Sequence, residues 1–372
     1  MASFSNGQAD VIDFLSKPET YGLVDGSVER YETHGALVFL AGDKAYKLKR
    51  AVRFPYMDYS TRERRRHMCE RELVVNRRTA PDIYLGVQPI VRDPNGRLHF
   101  GTADEATIMD WVVVMRRFDQ DNLLERMRQR GRLKPSLIRL LAETIAGFHQ
   151  RAEVCHDSGG AEGVAAVIAD NGAIIRSLMD RPFDAPQIDR FSRLSEAMLD
   201  RGRKILQKRR MEGRVRRCHG DLHLNNICLI GGQPVLFDAI EFSESFACID
   251  VLYDLAFLLM NLDRHSLRGY ANVLLNRYLQ LSADYDGVAV LPLFLSCRAA
   301  IRAHVAAVAA AGIVQPKEDQ LEAKLREAAE LFDQAVCYLE PPAALHVPKD
   351  PGQSESQRSC LPIYLRFFRL RM

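Results

Sequence analysis

The stretch Cys218-His219-Gly220-Asp221-Leu222-His223-Leu224-Asn225-Asn226, with the continuation Ile227-Cys228-Leu229-Ile230-Gly231-Gly232-Gln233-Pro234-Val235-Leu236-Phe237-Asp238, decides how this chain is read. It opens with a short loop carrying one carboxylate and two amides. Two apolar runs follow, Ile227–Ile230 and Gln233–Phe237, joined by Gly231-Gly232. Paired glycines between apolar runs predict a two-residue hairpin turn, because both central residues of that turn need positive φ. The hairpin returns Asp238 to the side of the loop. Asp221, Asn226 and Asp238 then converge as hard oxygen donors, a set that suits Mg²⁺ bridging nucleotide phosphates. Pro234 cannot donate to a ladder, so the second strand is expected to have a free edge.

Asp221 and Asn226 have the spacing of the His-x-Asp-Leu-x-x-x-Asn loop of kinases. Phosphoryl transfer asks for a carboxylate that orients the acceptor hydroxyl, oxygen ligands for the metal, and a cation on the phosphates. The loop and hairpin offer the first two. A competing reading takes His219-x-Asp221-x-His223 as a hydrolase metal cluster holding zinc or two metals. That reading leaves Asn226 and Asp238 without a task. In the kinase reading His219 braces the loop.

Upstream, Asp10–Leu15 predicts a short helix, and Ala36–Leu40 and Lys44–Lys49 predict a strand pair turned at Gly42-Asp43. Strand side chains repeat every two residues, so Lys47 and Lys49 share a face. Thr61–Arg78 reads as a helix capped by Thr61, Ile83–Val91 and Leu98–Phe100 as strands, and Trp111–Met115 as a strand buried on both faces. Beyond Phe118 the periodicity turns helical, at Leu137–Ala152, Ile188–Arg210, Val251–Leu262, Leu267–Leu281, Pro292–Ala311 and Glu318–Leu339. The expected fold class is α+β and bilobal, with a β-rich N-terminal lobe over residues 1–117 and a mostly helical C-terminal lobe over 118–340. Residues 341–372 read as a tail rich in Pro, Gly, Ser and Gln.

His219-Gly220-Asp221-Leu222-His223 with Asn226, Leu236-Phe237-Asp238, and Tyr253-Asp254-Leu255-Ala256 together resemble the aminoglycoside/choline phosphotransferase family, a branch of the protein-kinase-like fold. The resemblance is specific over residues 218–259, and the lobe order agrees over roughly 20–340. It implies ATP and Mg²⁺ as cofactors and a small-molecule acceptor, with Asp221 as catalytic base and Asn226 and Asp238 as metal ligands. It also implies that Asp254 steadies the catalytic loop. From the first lobe it implies a strand lysine on the phosphates, Lys47 with Lys49 as rival, paired with a helix glutamate, Glu72 with Glu70 as rival. The connector Val114–Arg117, with Met115 and Arg116 at its centre, becomes the hinge whose backbone meets adenine. No Gly-x-Gly-x-x-Gly precedes Lys47, only His34-Gly35-Ala36, and the family commonly lacks that loop. The runs Tyr46-Lys47-Leu48-Lys49-Arg50, Arg53-Phe54-Pro55-Tyr56 and Ile240–Asp250 are similar to a bacterial subgroup that carries this region ahead of a P-loop kinase domain. No Gly-x-x-x-x-Gly-Lys-Ser/Thr occurs here.

Composition sets the outer bounds. The chain has 372 residues, 47% hydrophobic and 27% charged, with a formal net charge of +3. So small an excess gives no push towards nucleic acid, and the basic runs Arg62–Arg66 and Arg201–Arg217 lack interleaved aromatics for base stacking. They read as solvated helix faces. The eight cysteines form no CxxC pair, which argues against a disulfide framework or structural zinc and suits a reducing, cytoplasmic setting. Cys218 and Cys228 read as small core residues. Val251–Leu262 and Ala299–Val314 are too short or too charged to span a bilayer, so no membrane role is expected. Glu241 and Glu244 are open between a cationic-substrate pocket and a solvated loop, Asp250 reads as a helix N-cap, and His149 as a packing or capping group. The alternative in another class is a nucleotide-binding regulatory module without turnover. The oligomeric state is not encoded in any of these features.

Overall fold

The computed structural model describes residues 6–24, 26–54, 56–102, 107–179, 181–311 and 318–340. The tail reading for 341–372 lies outside them. Two compact units divide the chain. One comprises Met1–Leu133 with His219–Ala247, the other Lys134–Cys218 with Cys248–Met372.

The first unit begins with helix α1 (Asn6–Leu15) and strands β1 (Glu29–Glu32), β2 (Ala36–Ala41) and β3 (Lys44–Lys49). A small pair, β4 (Arg53–Phe54) and β5 (Met57–Asp58), leads to helix α2 (Arg62–Asn76). Strands β6 (Tyr84–Arg92), β7 (Leu98–Phe100) and β8 (Ile108–Arg116) and helix α3 (Leu124–Gln129) follow. The sheet order is β1-β2-β3-β8-β6-β7, antiparallel throughout. Central β8 is buried on both faces at Trp111, Val112 and Val113. Its alternation divides the core. Val112 joins Leu37, Phe39, Leu48 and Ile90 around α1, while Trp111 and Val113 join Leu40, Ala45, Cys69 and Tyr84 on the α2 side.

From Lys134 the chain runs through helices α4 (Pro135–Arg151), α5 (Gly160–Ser177) and α6 (Ala185–Met211) to strand β9 (Val215–Arg217). The hairpin β10 (Ile227–Ile230) and β11 (Gln233–Leu236) comes next, then the four-residue helix α7 (Glu244–Ala247) and strand β12 (Cys248–Asp250). Helices α8 (Val251–Arg264), α9 (Arg268–Ser282), α10 (Leu291–Ala311) and α11 (Glu318–Leu339) close the order. Apart from α5, whose glycines blur its apolar period, each long helix was expected.

Three sequence readings need revision. Cys155 and Cys248, separated by 93 residues, form a disulfide with Cα atoms 5.8 Å apart. Spacing could not reveal it, because the pairing is made by topology: β12 pairs with β9, and the Cys155 N–H donates to Val215 O at the start of β9 (3.0 Å). The basic runs are not uniformly solvated either. Arg65 is buried against Asp110 (2.8 Å), and Arg209 is buried between Asp250 (2.7 Å) and Asp284. Glu241 is neither in a solvated loop nor in a cationic pocket, as the site geometry makes plain.

The stretch Asp286–Ala310 is long and apolar enough to cross a membrane, yet 67% of its most apolar window is buried in the protein. Burial against α8 and α11 accounts for that composition.

Candidate active site

Every sequence-nominated site residue falls in the first unit. The hairpin forms in the expected register, Ile227 opposite Leu236 and Ile230 opposite Gln233. Gly231 and Gly232 sit at φ 57° and 79°, the double positive φ that a two-residue turn demands. Gly220, at φ 84°, is needed for a second reason: a Cβ there would lie 2.8 Å from the Phe246 carbonyl oxygen. Only a residue without a side chain lets the loop pass so close.

The loop is pegged to the segment after β11. Buried His219 places Nε2 2.9 Å from Phe237 O, and its carbonyl accepts from Ile240 N–H (2.9 Å). The Phe237 N–H donates to Asn226 O (3.0 Å). The Asn226 amide nitrogen donates to Asp221 twice, to its backbone oxygen and to Oδ2, each at 3.0 Å. That orientation turns the amide oxygen away from the Asp221 carboxylate. His223 Nε2 lies 3.4 Å from the same Oδ2, beside an Asp221 side chain that is 37% exposed.

Asp238 stands at φ 62°, a left-handed conformation that costs a non-glycine residue about 1 kcal/mol or more. Its neighbours over-determine it. Its own N–H donates to Tyr84 Oη (3.1 Å), and Ala239 N–H donates to Asn76 Oδ1 (2.8 Å). Its carboxylate receives Lys47 Nζ at 2.6 Å. Lys47 also reaches Glu72 Oε1 (2.8 Å), so one ammonium bridges the helix glutamate and the hairpin aspartate.

Lys49, on the same face, takes the other Glu72 oxygen (2.6 Å) and Glu241 Oε1 (2.5 Å), and Tyr59 Oη donates to that same oxygen (2.7 Å). Burial alone would raise the Glu72 carboxyl, but Lys47 and Lys49 outweigh it and bring it down to about 2. Burial would likewise lower both lysines, and the carboxylates facing them hold both well above their usual range instead. Glu72, Lys47 and Lys49 therefore stay ionised near neutral pH. Sequence reasoning set Lys47 against Lys49; the structure gives them different places. Lys49 is almost wholly enclosed, whereas the Lys47 side chain keeps 13% of its surface and its partner Asp238 keeps 42%.

At the end of β8 a cleft of about 240 Å³ is lined by Ile83, Arg116, Phe118, Asn122, Leu229 and Ile230, among others. The Met115 side chain is not in that lining; it packs in the core with Tyr84 and Cys228. The Arg116 N–H donates to Ile83 O and the Arg117 N–H to Asp43 O, each at 2.8 Å. Lys44 and Arg116 are therefore a pair whose mutual peptide groups point away from each other, and the Arg116 carbonyl is directed to the Ile83 side, where the cleft lies.

Several residues outside this site were singled out by sequence. Asp250 caps α8, accepting from Leu252 N–H (2.8 Å). In the second unit, fully buried Asp254 meets His149 Nε2 at 3.0 Å, and His149 Nδ1 meets Tyr278 Oη at 2.9 Å. Glu244 pairs with Arg71. Cys218 and Cys228 are buried, and burial pushes the Cys228 thiol up to about 12, which removes it as a nucleophile. Tyr59, Tyr84 and Asn76 were not recognised as parts of the site, Lys49 was named only as the rival of Lys47, and Glu241 was left open between a substrate pocket and a solvated loop. Only the two-residue strand period, which put Lys49 beside Lys47, carried a signal for any of them.

A loop aspartate held by an asparagine, a hairpin aspartate, and a strand lysine shared with a helix glutamate define a kinase-like site. Residues 87–291, just over half the chain, match the phosphotransferase enzyme family, and the chain belongs to it. Uncharacterized proteins of Mycobacterium tuberculosis and Mycobacterium bovis are 34% identical over 281 residues, covering 74% of this chain and 54% of theirs. The chain thus spans about half the length of the curated relatives it matches. A thermostable mutant of the aminoglycoside phosphotransferase APH(4)-Ia superimposes with a TM-score of 0.52 at 14% identity, covering 88% of this chain and 97% of that one. A choline/ethanolamine kinase family protein from Mesorhizobium loti gives 0.49 at 17% identity, covering 89% and 98%. The fold, which the likeness to the APH(4)-Ia mutant carries, is α+β, bilobal and protein-kinase-like.

Proposed function

We propose that this chain transfers the γ-phosphoryl group of ATP, with Mg²⁺, to a hydroxyl of a small molecule. The observation that carries the reading is the Lys47 ammonium bridging Glu72 (2.8 Å) and the half-exposed Asp238 (2.6 Å), with Asp221 held by Asn226 on the adjoining loop. Asp221 would accept the acceptor's hydroxyl proton as its oxygen bonds to the γ-phosphorus and the bond to the ADP oxygen breaks. Asn226 Oδ1 and the Asp238 carboxylate, which accepts from Lys47 through Oδ1, would hold the metal as hard oxygen ligands. Bound there, Mg²⁺ would neutralise charge developing on the phosphate oxygens. Lys47 would exchange part of its hold on Asp238 for the phosphates, and Glu72 would keep it in place. The adenine would lie in the cleft lined by Arg116 and Phe118, on the side to which the Arg116 carbonyl points.

The test is ADP release by the purified protein with ATP, Mg²⁺ and a fractionated metabolite pool. Release stimulated by one fraction and lost in Asp221→Ala is the expected result. Magnesium-dependent ATP binding with no consumption against any fraction would instead favour a regulatory module.

A further inference from the structure

We infer that Lys49 and Glu241 form a second ion-pair rung that positions the metal-binding aspartate. They are positioning residues for Asp238 and Glu72, not contacts of the ligand. The inference rests on the reading of Asp238 as a metal ligand.

Two rungs join β3 to the segment after the hairpin, and both pass through Glu72. In the outer rung Lys47 connects Glu72 Oε1 with Asp238; in the inner rung Lys49 connects Glu72 Oε2 with Glu241. The side chains of the inner rung are all but sealed, Lys49 2% exposed, Glu72 0% and Glu241 6%. Those of the outer rung open towards solvent at Asp238. Glu241 lies three residues beyond Asp238, and the turn between them is gripped by α2. Arg71 Nε donates to Glu241 O (2.9 Å), and Asn76 accepts from Ala239 N–H while donating to Glu72 O (3.0 Å). The left-handed Asp238 is thus followed at once by two backbone anchors fixed to the same helix.

Charge arithmetic gives the inner rung its purpose. Lys47 has two claims on it in the bound state, Glu72 and the phosphates. With Lys47 as the sole partner, Glu72 would be a fully buried carboxylate whose only counter-charge is shared with the ligand. Lys49 keeps Glu72 neutralised whatever Lys47 does, and Glu241, completed by the Tyr59 hydroxyl, keeps Lys49 neutralised in turn. A buried ion pair adds little stability over an apolar pair of the same volume, so its use here is to fix geometry.

Isothermal titration of the full chain with ADP, with and without MgCl₂, tests this alongside melting temperature. In Glu241→Ala the gain in ADP affinity produced by Mg²⁺ should shrink by about tenfold, the worth of one charge-assisted hydrogen bond, while binding of ADP alone stays within about twofold of wild type. Glu241→Gln, which keeps an oxygen for Lys49 and Tyr59, should recover part of the loss. The double variant Lys49→Met/Glu241→Leu should restore the melting temperature without restoring the magnesium effect. Should Glu241→Ala fail to fold, Tyr59→Phe supplies the same readout with a smaller expected loss. Wild-type magnesium dependence in Glu241→Ala, or recovery of both quantities in the double variant, overturns the inference and leaves the phosphotransferase reading standing. A wild-type protein whose ADP affinity ignores Mg²⁺ overturns both.

Discussion

Asp221 and Asp238 are both carboxylates in one small region, and the proposed function gives them different work. Asp221 accepts from the Asn226 amide and lies beside His223 Nε2, on the loop proposed to face the acceptor hydroxyl. Asp238 is charge-paired with Lys47 and held in a strained backbone, which suits a fixed ligand. Asp221→Ala should therefore leave nucleotide affinity nearly unchanged and lower turnover by about 10²–10⁴-fold, the usual worth of a general base; parallel titration calorimetry and rate measurement check it. Asp238→Ala should abolish magnesium-dependent nucleotide binding, and unchanged ATP affinity with Mg²⁺ would count against its role. At this scale the sequence was informative about chemistry carried by short spacings. Asp221, Asn226 and Asp238 are linked by one loop and one hairpin, so local rules reach them. Glu241 was opaque because its partners Lys49 and Tyr59 lie nearly two hundred residues upstream.

Among the elements, α2 and α6 explain why charge-rich helices were misjudged. Both are studded with arginine, and a helix exposes most of its circumference. Yet Arg65 meets Asp110 across the face that packs on β8, and Arg66 lies over the Trp111 ring at 4.8 Å. In α6, Arg209 spans Asp250 and Asp284, three charges that are all buried. Neutralising it strands two carboxylates in the interior. Arg209→Leu should destabilise the fold by about 3–5 kcal/mol in urea unfolding, the cost of breaking a buried pair from one side. The end of α8 offers a contrast, since Asp250 as N-cap was legible: a capping aspartate before an apolar run is a local pattern, and the bond to Leu252 N–H is local too.

For the molecule as a whole, stability on the acid side should depend on His304. Burial pulls its imidazole down to about 4, and its Nε2 lies 3.2 Å from Asn171 Oδ1. A histidine with a lowered folded pKa binds fewer protons folded than unfolded between that value and its ordinary 6.5. Its contribution is thus complete above about pH 6.5 and is lost progressively as pH falls towards 4, by at most about 1.4 kcal/mol per pH unit. Chemical unfolding across that range should give a shallower pH dependence for His304→Gln than for wild type; identical slopes would exclude the residue as a source. The architecture itself, a strand-rich first third and a helical remainder around one hairpin, was legible because apolar periodicity is additive along each element. The Cys155–Cys248 bond was not, since it exists only once β9 and β12 have paired.

The discontinuity of the first unit has a consequence for synthesis. Residues 1–133 leave the ribosome early, with Lys47, Lys49 and Glu72 already present, while Asp238 and Glu241 follow only after more than a hundred further residues. Until then two ammonium groups confront a single buried carboxylate, an imbalance that disfavours closure of that interior. The nascent sheet is therefore expected to stay loosely packed around β3 and α2 and to tighten late, when the hairpin threads back to it. A protein built this way couples completion of its candidate site to the translation of its own middle.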